Sequence, residues 1–464
     1  MAQTPSDITL PAEILDTVID ELGCSQDSDP ESLNALLYCA LVCRSFHHRA
    51  AGHLFANVVV TNRRKDYYEY NRIAVERLED LSQILQKNDS IGPRILSFSL
   101  DTSLSNPHPG DLQTNPSNII RYGKTLPNVL RLLCSIRRFS WRNHRSHVFC
   151  KDMGSDLADA ITSLGERASL KSVSIQCIEL DVFPLPVLFK LDHLSFTHAL
   201  LPQEWDSSTP SIRQNDYPTR LRELVLYGCP ELTPWISQTP ALFSQLTRFN
   251  VWMRTDDEVL VAWLVMQAAS QTLEVLKVSD ISHFRCPCSI IRMFQKTLLT
   301  PPFTDPNLIP GPIDLGILQS LHTIALSFTI ASFDNVVFPM CICGLLKPPT
   351  SPTQLKNIEI QLNWIDCVQG SEEARLVEEP GWRVLDDILS QESLHPQLSN
   401  VFFKLKLGYG WRQHPFSNRP PAEIVIIRDT VASLASKLFQ RTVAARSWRP
   451  NIDIEIYKST VISH

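Results

Sequence analysis

Glycine is scarce in this chain, 15 residues in 464, and phosphate-cradling loops are scarce with it. No Gly-x-x-x-x-Gly-Lys-Ser/Thr, Gly-x-Ser-x-Gly or His-Glu-x-x-His occurs, so the usual signatures of nucleotide hydrolysis, serine hydrolysis and zinc proteolysis are missing. Gly408-Tyr409-Gly410 is no substitute for them. Long apolar runs are missing too. The longest, Leu36–Cys43 and Val259–Met266, have eight residues each, against about 18 for a membrane span. The polar opening residues offer neither a basic start nor an apolar stretch, so no signal peptide is expected. Nor is there an excess of positive charge. Against 49 Asp and Glu stand 43 Lys and Arg, a net charge of −6, which favours neither nucleic acid nor an anionic membrane as partner. The expectation is a soluble protein inside the cell, cytoplasmic or nuclear.

Cysteine is present, 12 residues, but scattered. The close pairs Cys286-Pro-Cys288 and Cys341-Ile-Cys343 are not Cys-x-x-Cys, and no His pair lies nearby at finger spacing. Cys39 and Cys43 fall at apolar helix positions. Reduced, mostly buried thiols and no metal site are expected. With 44% hydrophobic and 20% charged residues, the composition is that of an ordinary globular protein with a large core.

What is there begins at the N-terminus. In Leu10-Pro11-Ala12-Glu13-Ile14-Leu15, Pro11 suits the first turn of a helix and Gly23 suits the position just past its end. Ile14, Leu15, Val18, Ile19 and Leu22 make one apolar face. Asp29-Pro30-Glu31 reads as a cap with Pro at N1. The second helix it opens is marked by Leu33, Leu36, Leu37, Ala40 and Leu41. Val42-Cys43-Arg44-Ser45-Phe46 turns the chain, with Ser45 as cap, and Phe46, Ala50 and Leu54 mark a third helix. So small a bundle has a meagre core of its own, and its apolar surface is expected to finish burial against a partner.

The pattern Leu-Pro-x-Glu-Ile-Leu, then Leu-x-x-x-Ala-Leu-Val-Cys-Arg-Ser-Phe, then Leu-Phe resembles an F-box. The resemblance implies docking on the Skp-type adaptor of a cullin–RING ubiquitin ligase, through Leu10, Pro11, Ile14, Leu15, Leu36, Leu41, Val42 and Phe46. The alternative is an interaction scaffold whose F-box-like helices only cap the domain that follows. In that case Ile14, Leu15, Leu36 and Val42 would all be buried.

Downstream, apolar-x-x-apolar-x-apolar recurs ten times, beginning at Ile95, Ile136, Leu170, Leu191, Leu221, Leu246, Leu273, Leu321, Leu355 and Leu398. Each copy reads as a strand with alternate residues inward, and such strands stack into the parallel sheet of a solenoid. The pattern resembles leucine-rich repeats, and Leu221-Arg-Glu-Leu-Val-Leu-Tyr-Gly-Cys229 matches their signature throughout. Starts lie 21 to 48 residues apart, which leaves room for helices and for insertions at 102–131 and 284–316. Asp156–Leu164 and Asp257–Ala269 are expected as helices. Pro421–Ala445 is expected as a longer helix, followed by a strand through Ile452, Ile454 and Ile456. The expected fold is an α/β solenoid: a three-helix F-box over 1–60, then an irregular leucine-rich-repeat horseshoe over 61–464. Its parallel sheet would line the concave face and its C-terminal cap would lie at about 421–464.

Chemistry-bearing clusters are few. Asp256-Asp257 and Asp386-Asp387 are expected at helix starts, where carboxylates suit the dipole. His47 and His48 face different ways on a helix and cannot hold one metal together. Ile136–Arg145 mixes basic and aromatic residues, a composition able to meet nucleic acid. In the strand register, however, Phe139 and Trp141 point inward and only Arg138, Ser140 and Arg142 point out, so a protein-binding spot is expected. By the same alternation Tyr227, Arg248, Asn250, Trp252, Lys277, Asn357, Glu359, Phe402 and Lys404 face outward. Of these, Arg138, Arg142, Tyr227, Arg248, Trp252 and Lys277 are the expected target-binding residues, Trp, Tyr and Arg being the types that dominate interfaces. The alternative is that insertions fold over this face and bury the aromatics. The expectation is a substrate-recognition subunit with an unknown protein target, without catalytic residues or cofactor of its own.

Overall fold

The computed structural model describes residues 11–25, 30–61, 67–102, 116–143, 154–178, 190–200, 219–279, 313–330, 343, 345–346, 351–364, 381–410, 428–429, 439–446 and 450–459. The chain packs into two compact units. The first comprises Met1–Leu191 with Ala199–Glu204, the second Asp192–His198 with Trp205–His464. The N-terminal helices thus share a unit with the first strands, and the division falls well beyond residue 60.

The first unit opens with α1 (Ala12–Ser25), α2 (Pro30–Val42) and α3 (Arg44–Leu54). Strands β1 (Asn57–Val60), β2 (Ser97–Thr102), β3 (Arg138–Asn143) and β4 (Ser172–Gln176) follow, each paired in parallel with the next. Between them run α4 (Tyr67–Lys87), α5 (Pro116–Leu132) and α6 (Ser155–Glu166), α4 packed on α5 and α5 on α6. Within the expected insertion 102–131, residues 116–131 belong to helix α5, and residues 103–115 lie outside the described part.

The second unit holds β5 (His193–Thr197), β6 (Glu223–Tyr227), β7 (Arg248–Trp252), β8 (Val275–Ser279), β9 (Thr323–Ile330), β10 (Asn357–Trp364), β11 (Asn400–Gly410) and β12 (Asn451–Ser459). Each again pairs in parallel with its successor. Among the described residues its helices with defined spans are α7 (Thr233–Gln238), α8 (Asp256–Ala268), α9 (Gly381–Ser390) and α10 (Gln440–Arg446). Parallel strands in chain order, joined by helical connections, make this an α/β fold of solenoid type.

The repeat pattern sets the core. All three apolar positions of all ten copies are buried, none more than 7% exposed. A second device fixes the register. The carbonyl just after the first apolar residue accepts two N–H groups of the following repeat. Leu96 accepts from Arg137 at 2.7 Å and Arg138 at 3.0 Å, and the same fork recurs at Asp192, Arg222, Thr247, Glu274, His322 and Lys356. A slip of one residue would break every fork and turn the apolar set to solvent. After β4, β5 and β6 the chain leaves through a left-handed residue, Cys177 (φ 53), His198 (φ 48) and Gly228 (φ 64). The following residues, Ile178, Ala199 and Cys229, turn inward and are buried. The Cys229 thiol donates to the Tyr227 carbonyl at 3.3 Å.

Several local expectations are corrected. Gly23 lies inside α1, which runs on to Ser25. Ser45 lies inside α3, whose N-cap is Cys43. Asp256-Asp257 do open α8, behind a capping box between Thr255 and Glu258, but Asp386-Asp387 lie in the second half of α9. Of 421–445, the described residues are 428–429 and 439–445, and the helix among them with a defined span is the short α10. The final strand forms as expected and pairs with β11. Of the seven cysteines described, only Cys229 and Cys343 are buried; Cys24, Cys43 and Cys134 are exposed, and among the described residues none forms a disulfide. Cys286, Cys288 and Cys341 lie outside the described residues.

Candidate functional site

In the first unit, Ile19 from α1, Leu36 from α2 and Ala50 from α3 form a fully buried core, with Leu22, Cys39, Ala40, Phe46 and Leu54 packed against it. A polar clasp ties α1 to α3. The Asp20 carboxylate accepts from Arg49 Nε at 2.9 Å and from His53 Nε2 at 2.8 Å, while Asp16 pairs with Arg49 at 3.2 Å. Hydrogen bonds from Arg49, then His53, hold the Asp20 carboxyl well below the usual carboxylate range. Gly23 belongs to this clasp: a Cβ there would fall on the His53 ring.

The outer faces of the same helices are apolar and bare. On α2, Leu33, Leu37 and Leu41 follow helical spacing, flanked by Tyr38 and Val42, and Ile14 and Val18 add to them from α1. Leu41 is 82% exposed and Val42 67%. Of the residues expected to dock a partner, Pro11, Ile14, Leu41 and Val42 are exposed, and Leu15 and Phe46 are half-buried. Leu36 is corrected out of that set, because it is fully buried in the helices' own core. Leu10 lies outside the described residues. Capping would require Ile14, Leu15, Leu36 and Val42 all to be covered. Only Leu36 is, and its cover comes from α1 and α3. Sequence spacing did not single out Leu33, Leu37 and Tyr38 as partner-facing, because Leu33, Leu36 and Leu37 all satisfy one apolar face and only packing divides inner from outer.

The outward face of the strands carries the second candidate surface. In the first unit Arg138, between Ser97 and Ser172, and Arg142, between Asp101 and Gln176, are exposed on β3, with Ser99, Ser140 and Ser174 in the row between them. In the second unit the expected residues come together. The row Thr197–Tyr227 continues to Trp252–Ser279, and Tyr227 stacks on Trp252 with ring centroids 4.9 Å apart and planes 18° from parallel. His198 meets Trp252 edge to face at 5.3 Å, and the Arg254 guanidinium lies 3.7 Å from the Trp252 ring centre. Both aromatics stay half-exposed, while Arg248 and Lys277 nearby are exposed. Spacing alone did not single out His198 and Arg254. The available signals were that His198 occupies the turn position that Gly228 fills one strand later, and that Arg254 leads into the Thr255 cap.

The backbone holds this cluster still. His198 N donates to the Tyr227 carbonyl at 2.6 Å, and Arg254 N donates to Glu258 at 2.6 Å. Toward the other end of the sheet the outward charges cancel: Lys404 pairs with Glu455 at 3.2 Å and Asp453 at 3.8 Å, and Lys406 with Glu455 at 3.9 Å. His47 and His48 are both exposed, and His47 Nδ1 lies 3.0 Å from the Ala40 carbonyl. Among the described residues no helix is long and apolar enough to cross a membrane. Comparison with protein-family models gives no match, and a search of the curated proteins gives none either.

Proposed function

We propose that this chain is the substrate-recognition subunit of a Skp–cullin–F-box ubiquitin ligase, working in the cytoplasm or nucleus. In this reading α1 and α2 dock the Skp-type adaptor through Pro11, Ile14, Leu41 and Val42, joined by Val18, Leu33, Leu37 and Tyr38. The outward face of the strands holds the target protein. The chain has no catalytic residue or cofactor of its own. It acts by raising the target's effective concentration beside a ubiquitin-charged enzyme carried by the other subunits.

The observation that carries the reading is the bare apolar face of α1 and α2. A helix apolar all round is ordinarily buried on all sides, and α2 places Leu36 inward while leaving Leu33, Leu37, Leu41 and Val42 to solvent. Contiguous exposed apolar surface of this kind marks a contact surface. The F-box-like pattern of the same residues supplies the kind of partner. The deciding experiment is capture of the recombinant adaptor by the full chain, wild type against Leu41→Asp with Val42→Asp. Both side chains are exposed, so the variant is expected to melt as wild type does while losing at least about tenfold in affinity, the effect of about 1.4 kcal/mol. Equal recovery would end the proposal.

A further inference from the structure

The strand face of the second unit is uneven in charge. Across β5 to β9 the outward residues form three register rows: His193–Glu223–Arg248–Val275–Thr323, then Ser195–Val225–Asn250–Lys277–Ala325, then the row of Thr197, Tyr227, Trp252, Ser279 and Ser327. Glu223, the one carboxylate in them, pairs with His193 at 3.3 Å. Arg248 and Lys277 have no ion pair among the described residues, and both are exposed. Lys277 stands between Asn250 and Ala325, so neither adjoining residue in its row carries a charge to neutralise it, and the next carboxylate in that row, Glu359, lies one strand beyond Ala325. In the third row the Tyr227–Trp252–Arg254 stack stands next to the small residues Ser279 and Ser327.

We infer that this patch binds an acidic, extended segment of a partner protein, with carboxylates against Arg248 and Lys277 and an apolar side chain against the edges of Tyr227 and Trp252. Charge complementarity selects the acidic chain. The stacking selects polypeptide over nucleic acid. A base needs an open aromatic face on which to lie, and Trp252 already shares its ring with Tyr227, His198 and Arg254. With Tyr227 stacked on it and the Arg254 guanidinium over its ring, Trp252 offers its edge rather than a face, which suits aliphatic and carboxylate groups. The inference rests on the reading of the strand face as the target-binding surface and supplies that target's chemistry.

The test uses the full chain and a fluorescein-labelled random copolymer of glutamate, alanine and tyrosine, followed by anisotropy. A lysine copolymer and a single-stranded oligonucleotide serve as controls. The glutamate copolymer is expected to bind, more weakly as salt rises, and the lysine copolymer is expected not to. Arg248→Gln with Lys277→Gln, both exposed positions, is expected to weaken binding about tenfold and flatten the salt dependence. Trp252→Leu is expected to weaken it several-fold while leaving the salt dependence in place. Failure of the glutamate copolymer to bind, equal binding of the lysine copolymer, or tighter binding of the oligonucleotide would each overturn the inference. Adaptor capture by the same variants separates the two proposals. If it persists while the copolymer fails, only this inference falls; if it fails while the copolymer binds, only the adaptor reading does.

Discussion

His395 is fully buried in the loop after α9, with its Nδ1 2.6 Å from Thr353 Oγ1 and its backbone carbonyl accepting from Arg446 at 2.9 Å. Burial first, and the Arg446 charge second, push its imidazole down to about 4. The sign follows from linkage. An unfolded chain would protonate this histidine near pH 6.5, while the folded one resists, so the unfolded state binds the extra proton and gains as pH falls. The contribution is whole above about 6.5 and is lost progressively down to about pH 4, on the order of 3 kcal/mol in total. Urea unfolding midpoints measured across this range should fall toward acid in the wild type and fall less in His395→Gln. Parallel curves would show that His395 is not the group responsible. Spacing could not have indicated this residue. Nothing local distinguishes His395 from the exposed His47 and His48; the difference lies in Thr353 and Arg446, far away along the chain.

At the scale of elements, α10 is too short to stand alone, and side chains at both its ends fasten it to α9, the Arg441–Asp387 ion pair among them. Asp386 accepts from Thr442 N at 2.9 Å, Thr442 Oγ1 at 2.7 Å and Arg441 N at 3.1 Å. It therefore caps the first turn of α10 from outside. At the other end Arg446 donates to the carbonyl of Leu389, which the end of α9 leaves without a helical partner, and to those of Gln391 and His395 in the loop that follows. Reading Asp386 as suited to a helix N-terminus thus had the right chemistry and the wrong helix. The pattern along a chain reports only on local geometry, and this cap comes from 55 or 56 residues away. Asp386→Ala removes a cap and strands buried donors, so a loss of about 2 to 3 kcal/mol is expected. Hydrogen exchange should show the amides of Arg441 and Thr442 opening much faster, while those of β5 to β7 keep their protection. An unchanged rate at Thr442 would contradict this account. By contrast the strands themselves were legible, because three buried positions per repeat declare themselves in any copy, whereas Gly23 and Ser45 were misplaced because α1 and α3 extend past the residues that suit an end.

For the molecule as a whole the decisive asymmetry is between α2's two sides. Leu36 sits in a closed core while Leu37 and Leu41, one and five residues on, are open to water. Sequence could show that α2 is apolar on more than one side, but not which side the chain would close with its own α1 and α3. That choice follows from how three short helices meet around Ile19 and Ala50. The consequence is measurable without any partner. Exposed apolar surface on this scale promotes self-association, so the isolated wild-type chain is expected to run as dimers or larger species at elevated concentration. Leu37→Glu with Leu41→Glu should return it to monomer by size exclusion with light scattering, with a melting temperature within about 2 °C of wild type, since surface changes away from special contacts alter stability by about 0.5 kcal/mol or less. Leu36→Glu, on the same helix, should instead cost at least about 3 kcal/mol by placing an unpaired charge in the core. If the two exposed substitutions destabilise as Leu36→Glu does, the face is covered by the chain itself and the adaptor reading loses the observation it stands on. If they leave stability intact and abolish self-association, the face is a surface kept ready for another molecule.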